Sequence, residues 1–524
     1  MSALPMGELA LEPAGVPRGR AMVERADWAA RAFATYDAAS VRRIVQAVAE
    51  AGARHARELA EEAVAETGFG VVEHKLRKNL GCSTGLWETY RDDDFVTPTV
   101  DEAARILSVP RPAGVVFALT PSTNPVATAY FKVILALLTR NAIIVSPHPL
   151  AKKVSARAVA ILAEAAVAAG APDGCVQVVA EPSVPLVNAL MTDSRVAVIV
   201  ATGGTPMVRA AYSSANPALG VGPGNVPVLV DDSADLAAAA RLIAESKSFD
   251  NSVLCTNESV AIVTRASADR LVQCLRREGA HVASPAEVDA IRAVLFDGES
   301  LRTEWIGKDA TAIAKAAGVR VAPRTTVLVT PIDLVVPEEM LAHEKLCPVL
   351  ALVTVPSVAR GIAVAQAVLR IAGQGHTAGV HSNDPATVLS FAAAVRVLRV
   401  CANVGTSLGG SGFETNLAPS MTIGTGFFGR SSLGTNLAPE HLVHQTRVAY
   451  ASAAGTTMPS FAGLEPWRTP VGEVPAYPLA SNLPTAPASV VAPVAPTPAP
   501  EEEQELREHI RRLVIEELKA LVKG

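Results

Sequence analysis

The sequence predicts an α/β protein built on two parallel β-sheets with helices against both faces. Three observations carry that prediction. Short Val/Ile/Leu runs recur between about residues 114 and 200, separated by Ala-rich stretches of helical spacing. Those runs are apolar throughout instead of alternating, as strands buried on both faces are. The same alternation resumes between about residues 250 and 425, and 524 residues are too many for one ordinary core.

Residues 1–20 read as irregular. From 21 to about 68 the chain is rich in Ala, Glu and Arg with apolar residues three and four apart, and 73–90 continue the helical pattern until Arg91-Asp-Asp-Asp94 breaks it. The period then changes. Residues 104–112 and 114–119 read as strands, Thr120-Pro-Ser-Thr-Asn-Pro125 as a turn, and 127–138 as an apolar helix. A buried strand over 141–145 ends in Ser146-Pro-His-Pro149, followed by helix 152–169, strand 176–179, helix 183–191 and strand 196–200. Sheets of this kind bind ligands at the carboxyl ends of their strands. Here those ends are Thr120–Pro121, Ser146–His148 and Thr202–Thr205. The loop Ala201-Thr-Gly-Gly-Thr-Pro206 either offers backbone N–H groups to a phosphate or is a tight turn and nothing more. No G-x-G-x-x-G pattern follows the first strands.

In the second region, helix 236–247 leads to Phe249-Asp-Asn-Ser-Val-Leu-Cys255-Thr-Asn-Glu258 and strand 259–263. A cysteine on a loop between helix and strand is either a rigidly held nucleophile or one more small buried hydrophobe. Further strands are expected at 332–336, 348–353 and 377–381, and 405–433 is rich in Gly, Ser and Thr, as loops over a site are. The expected domains are 21–244, 245–432, and a return segment over 433–464. Residues 465–500 carry ten prolines and read as an extended linker. Residues 501–524 open on Glu501 and place Leu506, Ile510, Leu513, Val514, Leu518, Leu521 and Val522 on one stripe of an amphipathic helix. That stripe folds back on the body, pairs with its copies, or docks into a partner's groove.

Composition narrows the class. A formal net charge of -5 argues against nucleic acid or an anionic membrane as the main partner. The apolar run Val133–Leu138 is too short to span a bilayer, and no basic-then-apolar leader pattern opens the chain. The six cysteines are scattered without a C-x-x-C pair, which argues against a metal site or a disulfide framework. A soluble cytosolic protein is expected.

Six motifs then stand together: Pro121-Ser-Thr-Asn-Pro125, Thr139-Arg-Asn-Ala-Ile-Ile-Val-Ser-Pro-His-Pro149, Phe249–Cys255, His343-Glu-Lys-Leu-Cys-Pro348, Gly375-His-Thr377 and Leu417-Ala-Pro-Ser-Met-Thr-Ile-Gly424. With them, the chain from about 21 to 453 resembles the CoA-acylating branch of the aldehyde dehydrogenase superfamily. That branch includes the aldehyde half of bifunctional aldehyde-alcohol dehydrogenases and the acylating enzymes of ethanolamine- and propanediol-type microcompartments.

The resemblance implies an aldehyde dehydrogenase-like fold and a set of roles. Cys255 matches the nucleophile, Asn124 the amide that joins the Cys255 N–H in stabilising an oxyanion, and His376 a histidine assisting thiol chemistry. Glu344 matches the glutamate holding the nicotinamide ribose. Thr120, Pro121, Ser146, His148, Gly203, Gly204, Thr205, Gly222 and Pro348 fall in segments lining the cofactor, NAD. Hydrolytic relatives carry a water-activating glutamate where this chain has Gly220, which implies a thiol acceptor, coenzyme A. The substrate pocket falls near Val253, Leu254, Thr256 and residues 406–414, for propionaldehyde or acetaldehyde. A hairpin over 101–112, with about 428–451, implies a dimer or tetramer. The final helix resembles an encapsulation peptide, which implies shell-protein partners and a bacterial microcompartment lumen. The alternatives are a hydrolytic dehydrogenase, a sulfoacetaldehyde-type acylating enzyme, and an inactive shell-associated assembly protein.

Overall fold

The computed structural model describes residues 13–452, 457–471 and 477. The chain opens in a helical layer: α1 Val16–Phe33, α2 Ala38–Arg54, α3 Ala56–Thr67, α4 Val72–Gly81 and α5 Thr84–Tyr90. Helix thus begins inside the segment expected to be irregular, because Pro17 sits in the first turn of α1, where its missing N–H is no loss. Asp37 caps α2 by accepting from Ser40 N–H at 2.8 Å. The expected helix over 73–90 is two helices. They separate at Cys82–Ser83, where Ser83 Oγ donates to Asn79 O at 2.8 Å.

Strands β1 Thr99–Asp101 and β2 Ile106–Pro112 form an antiparallel hairpin, and β17 Val443–Ala449 pairs with β2 along its whole length. A five-stranded parallel sheet follows: β3 Val115–Thr120, β4 Ala142–Pro147, β5 Val176–Val178, β6 Val196–Thr202 and β7 Ala218–Val221, in the order β5-β4-β3-β6-β7. The chain winds outward from β3 to β5 and then returns to lay β6 on the other side of β3. This reversal opens a crevice beyond the carboxyl ends of β3 and β6. Every residue of β3 and β4 is buried, as is every residue of α6 Pro125–Leu138, which explains their unbroken apolar text. Lys132 of α6 is buried among them. Its ammonium donates to Leu119 O at 2.7 Å and Val200 O at 2.9 Å, bridging β3 and β6 just below the crevice. The remaining helices of this sheet are α7 Lys152–Ala168, α8 Val184–Thr192 and α9 Thr205–Tyr212.

The second sheet has seven parallel strands: β8 Val226–Val230, β9 Glu258–Thr264, β10 Ala280–Val282, β13 Val327–Pro331, β14 Val349–Val355, β15 Gly375–His381 and β16 Val397–Ala402. Their order is β10-β13-β14-β9-β8-β15-β16. A small hairpin, β11 Phe296–Asp297 with β12 Ser300–Leu301, lies between β10 and β13 in sequence. Two expectations shift here. The strand expected at 332–336 lies instead at Val327–Pro331, where the residues pair with β10 and β14; Leu334 is 64% exposed. The crossing from one sheet to the other falls between Val221 and Val226, whereas the expected boundary at 244/245 falls inside α10 Leu236–Ser248. The cause is β8, which pairs with β9 and β15.

The proline-rich stretch also starts later than expected. Trp467 Nε1 donates to Val96 O at 2.7 Å, the Arg140 guanidinium lies 4.2 Å above the Trp467 ring, and Arg468 N–H donates to Thr35 O at 3.1 Å. Trp467 and Arg468 therefore anchor this part of the chain on the body. The expected helix over 501–524 lies outside the described residues. No helix among the described residues is long and apolar enough to cross a membrane.

Candidate active site

Cys255 follows α10 and a short 3₁₀ turn, Phe249–Ser252, and precedes β9. Asp250, Asn251 and Ser252 all adopt left-handed backbone, with φ of 50°, 50° and 67°. For L-residues this costs on the order of 1 kcal/mol each, so neighbouring contacts must impose it. Asp250 Oδ1 accepts from Val71 N–H at 2.7 Å, and its Oδ2 takes Lys75 Nζ at 3.1 Å together with Lys78 Nζ. Asp250 N–H donates to His74 Nδ1 at 2.8 Å, and the His74 ring stacks on Phe249 at 4.7 Å. Asn251 Nδ2 donates to Gly307 O at 3.0 Å and Asp309 Oδ1 at 2.9 Å. Gly70 makes room for this: a Cβ there would lie 2.1 Å from Asp250 Oδ1. The loop before the cysteine is strained, and α4 clamps it.

Cys255 is partly exposed, while the other five cysteines are buried. Enclosure of its thiol pushes its pKa up to about 12; the nearby Glu344 carboxylate adds to the rise and the Arg399 guanidinium opposes it. The loop at Gly224 runs against the nucleophile's own backbone, since a Cβ on Gly224 would lie 1.8 Å from Cys255 O. Gly222, two residues earlier, has nothing within 4 Å of its Cβ position and borders open space.

Asn124 stands at the N-cap of α6, close to the same loop. Its Nδ2 donates to Val253 O at 2.9 Å, and its Oδ1 accepts from Lys78 Nζ. Glu344 has its pKa raised to about 8 by burial, against the pull of the Gly224 N–H, Lys247 and Lys345. Those lysines are themselves buried, which lowers them to about 8 and about 7. Lys247 Nζ donates to Asn257 Oδ1 at 2.7 Å, and Lys345 Nζ to His343 O at 2.8 Å.

His376 is fully buried at the start of β15, with Nδ1 3.1 Å from Thr377 Oγ1 and Nε2 buried without a hydrogen-bond partner. Burial, then the Arg399 charge, lowers it to about 3, so the ring is neutral at physiological pH. Arg399 donates to His376 O at 3.1 Å, Gly375 O at 2.9 Å, Asn436 Oδ1 at 3.0 Å and Gly424 O, all uncharged acceptors. Its charge therefore remains available to a thiolate at Cys255.

The cofactor-side residues divide into groups. Thr120, Pro121, Ser146, His148, Gly203, Gly204 and Thr205 gather at the carboxyl ends of β3, β4 and β6, around the crevice. Thr120 Oγ1 is buried there without a partner, and Gly204–Thr205 expose the N-terminus of α9. His148 Nδ1 caps the next turn by accepting from Leu150 N–H at 3.2 Å. Gly222 and Glu344 belong to the Cys255 side. Pro348 stands apart, buried at the start of β14, where its carbonyl accepts from Leu328 N–H at 2.9 Å.

Gly220 is held by Tyr212, whose hydroxyl accepts from Gly220 N–H at 2.9 Å and donates to Gly220 O at 3.2 Å. A Cβ there would lie 2.7 Å from Val208 Cγ1 and 2.8 Å from Tyr212 Cε2, so a glutamate has no room.

Sequence reading missed Lys75, Lys78, Arg399, Lys247, Lys345 and Tyr212, and gave Asp250 no role. The two α4 lysines, three residues apart beside Glu73 and Arg77, look like ordinary surface charges.

Residues 14–414 match the model of the aldehyde dehydrogenase family. The bifunctional aldehyde-alcohol dehydrogenase of Escherichia coli is 37% identical over 435 residues, 82% of this chain and 49% of the relative, so the chain spans about half the length of that relative. An acetylating aldehyde dehydrogenase structure from Geobacillus thermoglucosidasius superposes with a TM-score of 0.82 at 35% identity, covering 85% of this chain and 98% of that one. A propionaldehyde dehydrogenase from the Clostridium phytofermentans fucose utilisation bacterial microcompartment superposes with a TM-score of 0.76 at 25% identity, covering 84% and 98%.

Proposed function

The chain belongs to the aldehyde dehydrogenase family, and from that premise we propose that it oxidises a short aldehyde to its coenzyme A thioester, with NAD as hydride acceptor. The observation that carries the acylating reading is Gly220. Tyr212 and Val208 fill the space a water-activating glutamate would need, so the acyl-enzyme waits for a thiol. The Geobacillus relative named as acetylating, matched over 98% of its length, supports the same choice.

In this reading the Cys255 thiolate forms a C–S bond to the aldehyde carbonyl carbon, and the carbonyl oxygen takes the negative charge. Asn124 meets that oxygen with its second N–H, in place of that group's long 3.4 Å contact to Thr123 Oγ1, joined by the Cys255 N–H. Arg399 offsets the thiolate's charge before attack. The nicotinamide cofactor, when bound, accepts the hydride that leaves an enzyme thioester on Cys255. The crevice suits such a group. Thr120 Oγ1 offers an unpaired buried hydroxyl, the α9 N-terminus at Gly204–Thr205 offers N–H groups to a pyrophosphate, and Glu344 offers oxygens to a ribose. The sulfur of the incoming coenzyme A thiol attacks the thioester carbon, the C–S bond to Cys255 breaks and the proton passes to the departing Cys255 sulfur, while the unpaired, neutral Nε2 of His376 offers the approaching thiol a hydrogen-bond acceptor.

Propionaldehyde and acetaldehyde are the proposed substrates; the Clostridium microcompartment enzyme, named as a propionaldehyde dehydrogenase, supports the first. The same neighbour supports packaging in a microcompartment lumen, with residues 501–524 engaging shell proteins. The three-stranded β1-β2-β17 sheet supports pairing of copies into a dimer or tetramer. The test is NADH production from each aldehyde, with and without coenzyme A, by wild type and Cys255→Ala. Strict dependence on coenzyme A and on Cys255 is expected. Steady NADH formation without coenzyme A would overturn the acylating reading.

A further inference from the structure

Asp250 needs one cation to balance it, yet two lysines are buried on it. Lys75 and Lys78, three residues apart on α4, both reach Asp250 Oδ2, and the three side chains are 4%, 2% and 0% exposed. The backbone around them adds neutral partners: Val71 N–H on Asp250 Oδ1, Thr123 O accepting from Lys75 at 2.9 Å, and neutral His74 accepting from Asp250 N–H. The cluster thus holds one more positive than negative charge. Such an excess is costly to bury, so it calls for a second use of one lysine. Lys75 spends its other contact on a backbone carbonyl; Lys78 bonds Asn124 Oδ1.

We infer that Lys78 is a positioning residue for the oxyanion site, acting through Asn124. An ammonium has three donors and no acceptor, so the amide must turn its oxygen toward Lys78 and its NH₂ toward the Cys255 loop. One of those N–H groups goes to Val253 O at 2.9 Å, and the other makes only a long 3.4 Å contact to Thr123 Oγ1, which the substrate oxygen replaces. A cation on the amide oxygen also draws electron density from the nitrogen and strengthens that remaining N–H as a donor. Asp250 ties the device to the nucleophile, because the carboxylate that fixes Lys78 sits five residues before Cys255, within the left-handed run. The inference rests on the proposed roles of Cys255 and Asn124, and not on the identity of the acceptor or cofactor.

The test is a double-mutant cycle read on acylation of Cys255 by p-nitrophenyl acetate, without nicotinamide cofactor or coenzyme A. The thiolate attacks the ester carbonyl, the C–O bond breaks, and p-nitrophenolate leaves as a measurable burst. Lys78→Met is expected to slow the burst about 10- to 100-fold with little change in the ester concentration giving half-maximal rate, the signature of an interaction made in the transition state. Asn124→Ala is expected to lose at least as much, and the double variant no more than Asn124→Ala alone. Arg57→Met, which removes only an exposed pair with Glu73 on the outer side of α4, is expected to retain the burst rate within about threefold. Multiplicative losses in the double variant, equal losses from Arg57→Met and Lys78→Met, or no wild-type burst would each overturn the inference. A wild-type burst without coenzyme A-dependent NADH formation would overturn the proposed function and leave this inference standing.

Discussion

Gly224→Ala isolates the contact between the Gly222–Asn225 loop and the nucleophile. The added methyl would lie 1.8 Å from Cys255 O, 2.8 Å from its carbonyl carbon and 3.3 Å from its Cα. Contacts of this kind do not fall below about 3.0 Å, so the two segments must separate by about 1.2 Å. The loop cannot easily retreat. Gly224 N–H is bonded to Glu344, and Asn225 Nδ2 is anchored on Ala342 O at 3.0 Å and Val368 O at 3.2 Å. The Cys255 peptide therefore takes up much of the movement, carrying its N–H out of line with Asn124. A misplacement near 1 Å costs on the order of 100-fold in rate, and overpacking of this kind costs roughly 1–3 kcal/mol of stability. The expected result is a kcat about 100-fold lower in coenzyme A-dependent NADH formation, with a lowered melting temperature by calorimetry. Gly222→Ala, whose methyl meets nothing within 4 Å, is the control and should melt as wild type does. A Gly224→Ala enzyme with kcat within threefold of wild type would refute the argument that this loop sets the position of Cys255.

Four further outcomes are expected. Carboxamidomethylation of Cys255, followed by mass spectrometry, should accelerate about tenfold per pH unit from 7 to 10 without a plateau, because a thiol held near 12 is still almost wholly protonated there; a plateau near pH 8 would contradict the burial argument. Glu344→Gln should leave that rate unchanged below pH 7 and raise it above pH 8, since the carboxyl of pKa about 8 repels the thiolate only once it ionises; equal rates throughout would show that Glu344 does not act on the thiol. Gly220→Glu should not create coenzyme A-independent turnover, because Tyr212 occupies the space the new side chain needs, and an assay for free acid decides the point. Deleting residues 501–524 should leave turnover intact while abolishing co-purification with shell proteins; collapse of activity would make the helix part of the fold.

The sheets were legible because burial on both faces leaves an unbroken apolar text, as in Val115–Thr120 and Ala142–Pro147. Where a strand's flanks are also apolar, that text loses its register. Ile332-Asp-Leu-Val-Val336 reads as well as Val327–Pro331 does, and only the pairing partners on either side select the latter. Cys255 was legible as a loop thiol, and Asn124, His376 and Glu344 only through the motifs that carry them. The residues that build their surroundings were not, for two physical reasons. Contacts such as Lys78 to Asp250 join positions 172 apart, and nothing local distinguishes a lysine that closes such a contact from one that faces water. The left-handed run at Asp250–Ser252 contains no glycine to announce it, and so it exists only because Val71, His74, Lys75, Lys78 and Asp309 hold it. Strain imposed from outside the loop has a consequence for function. The same contacts that force the backbone also fix Asn124 through Lys78, so a movement of α4 shifts nucleophile and oxyanion donor together. Rigidity at this loop is therefore a property of α4, a helix that carries none of the residues in direct contact with the reacting carbonyl.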